Sequence, residues 1–132
     1  MNMLDVVEAT VRSDHRHKVA SWIAALKSAE ASAVKADHKP VSYLINYRVS
    51  IDDSRKNGTE AERREGLTTI LESMKPVDRH ISTSTWLLRL HIQDAETVKD
   101  LLCGPLDGKI DGLHVSQVSP RNRAAFGVTN LG

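Results

Sequence analysis

VSYLINYRVSI, residues 41 to 51, decides the fold. Val41, Tyr43, Ile45, Tyr47 and Val49 alternate with Ser42, Leu44, Asn46 and Arg48, the period of two that sends successive side chains to opposite faces of a strand. Pro40 stands just before it, and DDSRKNG follows as polar turn material with Asn57 and Gly58 suited to a sharp change of direction. TEAE, residues 59 to 62, then spells a capping box, in which Thr59 takes backbone donors and Glu62 reaches back. The helix so started carries Leu67, Ile70, Leu71 and Met74 on one face, with Arg63, Arg64, Glu65 and Glu72 expected in water. Gly66 costs that helix about 1 kcal/mol relative to alanine, and Pro76 stops it.

VDRHISTSTWLLRLHI is long enough for two neighbouring strands with a turn near Ser82 to Ser84. In the later strand Trp86, Leu88, Leu90 and Ile92 share one face, and Leu87, Arg89 and His91 the other. DAETVKDLLCGP predicts a short helix capped by Asp94, with Ala95, Val98, Leu101 and Leu102 inward and Gly104 and Pro105 at its end. LDGKIDG is a loop, LHVSQVS a last strand, and PRNRAAFGVTNLG has little period, with Phe126 as its packing residue.

Upstream of Pro40 the pattern changes. MLDVVEATV aligns Leu4, Val7 and Val11 as a short helix, and a second helix, capped by Ser13 or Asp14, puts Val19, Trp22, Ile23, Leu26, Ala29 and Ala33 on one stripe. The expected organisation is a helical arm over 1–39, a domain over 40–119 and a tail over 120–132. The body reads β-α-β-β-α-β, an α+β, ferredoxin-like βαββαβ sandwich with an N-terminal helical extension. Two helices on one sheet face leave the other face for a ligand, a second copy or the arm itself. The arm's stripe, Val19, Trp22, Ile23 and Leu26, serves its own body, a second copy or another protein.

Composition narrows the classes. Of 132 residues, 40% are hydrophobic but only 4% aromatic, so the core is built on Leu, Ile, Val and Ala. Eighteen basic residues oppose seventeen acidic ones for a formal charge of +1, and a long basic stripe for nucleic acid is missing. Cys103 is the single cysteine, which excludes an internal disulfide and leads to the expectation of a reducing, cytoplasmic setting. No apolar run reaches about 18 residues, so no membrane partner is expected.

The strand Tyr43 to Arg48, the strand containing Ser84 through Leu87 and the segment Asp111 through Val115 together carry a resemblance. They resemble the SinR-like small proteins (not the helix-turn-helix repressor of that name), which are related to the small CRISPR-adaptation subunit with an endoribonuclease-like ferredoxin fold. The similarity runs over roughly residues 41 to 118 and leaves the arm outside. For relatives thought to be nucleases, the resemblance implies an aspartate at the end of the first strand, paired with its copy across a dimer. Arg48 stands at that position here, and a guanidinium cannot ligate magnesium.

Three functional expectations follow. The leading one is a non-catalytic interaction or scaffold protein that self-associates, as a homodimer, through its ferredoxin-like domain and helical arm and needs no cofactor. The second is a metal-dependent RNA or DNA nuclease, in which Asp52 or Asp53 replaces the missing carboxylate and holds magnesium or manganese. The third is nucleic-acid binding without cleavage, through Arg48, Arg89 and His91. Other residues carry less. DHRH, residues 14 to 17, offers His15 and His17 at a spacing that does not converge on a helix. His80 and His114 lack a nucleophile at any recognisable spacing, and Cys103 reads as a small buried hydrophobe.

Overall fold

In the computed structural model the order is α1 (Met3–Lys35), β1 (Val41–Arg48), α2 (Glu60–Ser73), β2 (Asp78–Arg79), β3 (Thr85–Leu90), α3 (Ala95–Leu102) and β4 (Gly112–Val118). The structure describes residues 3–74, 78–79 and 84–118, with side chains for 15–74 and 84–118. The stop at Pro76, His80, most of the turn at Ser82 to Ser84, the side chains of Leu4, Val7 and Val11, and the tail over 120–132 with Phe126 lie outside the described residues. Among the described residues no helix is long and apolar enough to cross a membrane.

The class is α+β, with an antiparallel sheet built on β3, β1 and β4. β1 is central, pairing Tyr43 with Leu88 on one side and with Gln117 on the other. The two-residue β2 extends the sheet beyond β3, giving the order β2-β3-β1-β4. Period-two reading fixed the faces correctly: Tyr43, Ile45, Tyr47, Trp86, Leu88 and Leu90 all point into one core with Leu67, Ile70 and Leu71 of α2 and Val98 and Leu102 of α3. Tyr43 donates its hydroxyl to the carbonyl of Ile92, and burial, the largest influence on this phenol, pushes its pKa up.

Both predicted caps form. Thr59 accepts from Glu62 N at 3.2 Å while the Glu62 carboxylate receives Thr59 N at 3.4 Å, and Asp94 accepts from Glu96 N at 3.3 Å. Two burial expectations fail in this body of the fold. Arg63 was placed in water, yet it is fully buried, because it sits one turn before Leu67 on the same stripe and finds a buried carboxylate. Cys103 was placed in the core, yet it is exposed, because it is the C-cap of α3, one residue past the last inward position, Leu102.

The arm is one helix rather than two. No Gly or Pro occurs from Met3 to Lys35, so Ser13 and Asp14 offer only a cap that the continuing ladder outcompetes. It ends in a pair of reverse bonds, His38 N to Ala33 O at 3.1 Å and Asp37 N to Val34 O at 3.0 Å, with Asp37 at φ 62° in the left-handed position that closes such helices. α1 packs on α2 and α3, not on the opposite sheet face. Leu26 is fully buried there, and Trp22, Ile23 and Ala29 pack against the same core. Fully burying a leucine is worth about 1.5–3 kcal/mol. Gly104 makes the docking possible: a Cβ there would lie 2.4 Å from Trp22 Nε1. Gly66, read from sequence as a mere penalty, lets α2 approach Pro105, whose Cβ would stand 3.0 Å from an added methyl.

Candidate functional site

The chain after β1 is organised by one buried ion pair. Arg63 Nε donates to Asp111 Oδ2 at 2.9 Å, with both side chains fully buried. Burying two charges is costly unless further hydrogen bonds engage the remaining donors and lone pairs, and here four of the five guanidinium N–H groups and both carboxylate oxygens are engaged. Arg63 Nη1 donates to Gly58 O at 2.7 Å and Nη2 to Ser50 O at 2.8 Å. Asp111 also accepts Ser50 N at 2.8 Å and Asp107 N at 2.9 Å. Burial alone would raise the Asp111 carboxyl, but the Arg63 guanidinium and the two backbone N–H groups outweigh it and hold its pKa below the ordinary carboxylate value.

The knot joins α2, the β1–α2 loop and the α3–β4 loop. Ser54 extends it by donating to Asp107 Oδ2 at 2.8 Å, and Asn57 donates to the carbonyls of Gly104 at 3.2 Å and Leu106 at 2.8 Å. Asp107 is held below its usual pKa by the N–H of Lys109 first and the Ser54 hydroxyl second. The lone pairs of these carboxylates support the loops.

The residues named from sequence do not converge. Asp52 and Asp53 are exposed, and the Asp52 carboxylate accepts the hydroxyl of nearby Ser50 at 3.4 Å. Among the described residues no three His, Cys, Asp or Glu side chains gather where one ion could sit. Arg48 ends β1 opposite Gly112, whereas Arg89 lies opposite Ser42 near the other end of the sheet. Six residues of strand separate these rows, about 20 Å. His91 lies beyond β3 and is engaged: its Nδ1 is 2.8 Å from Glu30 Oε2, and its N–H donates to Glu30 Oε1 at 2.6 Å. His114 is exposed, opposite Asn46. Val19 and Leu26 face this chain's own core.

The face of the sheet turned from the helices carries Leu44, Leu87 and Ser116 in one cross-strand row and Thr85, Asn46 and His114 in the next. Thr85 donates to Asn46 Oδ1 at 2.8 Å. Leu87 is only 5% exposed, so this face offers a mixed surface and no apolar plate. Among the described residues β4 is an edge of the sheet, and it differs. Its seven residues, GLHVSQV, include no Lys, Arg, Asp, Glu or Pro, the residues that usually guard an edge against pairing.

Sequence reasoning missed the Arg63–Asp111 knot. The spacing of Arg63 with Leu67 and Ile70 on one stripe was the available signal. Comparison with family models and with curated proteins gives no match for this chain.

Proposed function

We propose that this chain is a non-catalytic interaction or scaffold protein of the ferredoxin-like βαββαβ class, akin to the SinR-like small proteins, that pairs with a second copy of itself. The fold name is supported by the sheet order β2-β3-β1-β4 with each neighbouring pair antiparallel. The observation that carries the association is the uncharged, proline-free edge strand β4. Two such edges meeting about a twofold axis satisfy each other's main-chain donors and acceptors and continue the sheet from one copy into the next. Arg48, exposed where the resemblance implies a metal-binding aspartate, fits a module that holds partners rather than ions. The arm's role in this reading is internal: with Val19 and Leu26 buried, it braces the two helices behind the sheet.

An antiparallel pairing centred on Val115 sets His114 opposite Ser116 of the other copy. His114→Lys with Ser116→Lys therefore places like charges face to face on a surface where neither residue is buried in the monomer. Sedimentation velocity across micromolar concentrations should show a dimer that this double variant converts to monomer. A wild-type chain that stays monomeric, or a dimer indifferent to both lysines, would remove the proposal.

A further inference from the structure

A cleft of about 300 Å³ lies between the middle of α1, the loop after β1 and the start of α2, lined among others by His15, Lys18, Trp22, Arg55, Lys56 and Pro105. Its size is at the small end of ligand pockets, which run from about 300 to 1,000 Å³. Its charge is unlike the rest of the chain. Lys18, Arg55 and Lys56 bring three cations, while the whole sequence nets only +1. The single carboxylate in the lining, Glu62, is already turned to Thr59, whose N–H and hydroxyl it receives at 3.4 and 3.1 Å. Among the described residues no ion pair engages Lys18, Arg55 or Lys56.

The loop that presents two of these cations is held rigid. Ser54 and Gly58 exchange backbone bonds of 2.7 and 3.0 Å across it, and Gly58 takes φ +90° to close the turn. Ser54 Oγ receives the N–H groups of Lys56 and Asn57 at 3.1 and 3.0 Å. Together with the bonds from Ser54, Asn57 and Gly58 into the Asp107, Gly104 and Arg63 knot, this fixes where Arg55 and Lys56 leave the main chain. A site whose backbone is ordered beforehand loses less entropy on binding. Trp22, one turn along α1 from Lys18, and Pro105 add apolar lining, and Gly104 lets the indole seat closely.

We infer that this cleft binds a small phosphomonoester, its phosphate among Lys18, Arg55 and Lys56 and its carbon part against Trp22 and Pro105. Arg supplies a planar fork for phosphate oxygens and Lys a mobile point charge. No residue of β4 lines the cleft, so the site does not rest on the proposed self-association.

Calorimetric titration of the full chain at low salt with inorganic phosphate, ribose 5-phosphate, AMP and adenosine separates the contributions. AMP and ribose 5-phosphate should bind saturably and adenosine should not, with AMP tighter than ribose 5-phosphate if the indole stacks on a base. Lys18→Gln with Lys56→Gln, both at exposed positions, should weaken AMP at least about tenfold, whereas Arg89→Gln on the sheet should leave it unchanged. Amide shifts in the wild-type chain should move at Ser54 to Gly58 and at the Trp22 indole. Adenosine binding as well as AMP, no saturable heat with any phosphate, or shifts centred on Arg48 and Arg89 would overturn the assignment.

Discussion

Two polar ties hold opposite ends of this sheet, and they differ in kind. At the end where β1 finishes, Arg63 and Asp111 are both sealed from water and each also serves main-chain groups. At the end where β1 begins, Glu30 on α1 meets His91 and Ile92, with side chains of Glu30 and His91 still 18% and 33% exposed. The first tie joins α2 to two loops through main-chain groups of both; the second fastens α1 to the end of β3. Burial sets the difference. A pair in water can be replaced by solvent, and a sealed pair cannot.

The sharpest way to break that contrast is Asp111→Ala. It strands a buried guanidinium and two backbone N–H groups, and we expect a loss of about 3–5 kcal/mol in urea denaturation. Exchanging both partners for apolar residues, Arg63→Met with Asp111→Leu, is often harmless for buried pairs. It should not be harmless here, because the carbonyls of Gly58 and Ser50 and the N–H groups of Ser50 and Asp107 would lose their partners too. A double variant as stable as the parent would show that those main-chain bonds contribute nothing.

Acid sharpens the same comparison without mutation. Asp111 has a folded pKa below its unfolded value of 3.8, so the unfolded chain takes up its proton first as pH falls. The resulting stability is complete above the unfolded value and is lost on descending through the folded one. Unfolding free energy measured from pH 6 downward should therefore fall below about pH 4, and Asp111→Asn should flatten that limb. The effect is smaller than truncation, since a protonated carboxyl keeps its shape and part of its acceptor capacity.

Much of the sheet was legible because strands report their burial every second residue. Tyr43, Ile45 and Tyr47 alternate cleanly with Ser42, Leu44 and Asn46, and both caps are spelled by short-range chemistry at Thr59 to Glu62 and at Asp94. What stayed hidden depends on distant partners. Arg63 looks solvated until Asp111, 48 residues later, is known to face it. Gly66 looks like a penalty until Pro105 arrives against it, and Gly104 like a plain helix stop until Trp22 does. The cleft was hidden for the same reason: Lys18 and Lys56 belong to a helix and a loop that only the fold brings together, whereas Arg48 and Arg89, on neighbouring strands, are held at opposite ends by an antiparallel register that no single segment reveals.

The smallest expected effect tests the weaker tie. Glu30→Ala removes the acceptor for the N–H groups of His91 and Ile92 and the partner of the His91 ring. Water reaches this site, so the cost should be about 1 kcal/mol, well under that of Asp111→Ala. His91→Ala should cost less again, because both backbone bonds to Glu30 survive it. Hydrogen exchange gives the discriminating readout. Loss of Glu30 should speed exchange in the second half of α1 while the amides of β1 keep their protection, as expected of a fastener whose release opens one helix locally. Equal acceleration in α1 and β1 would mean that the arm and the sheet unfold as one unit, and that the two ends of this protein are tied with comparable strength after all.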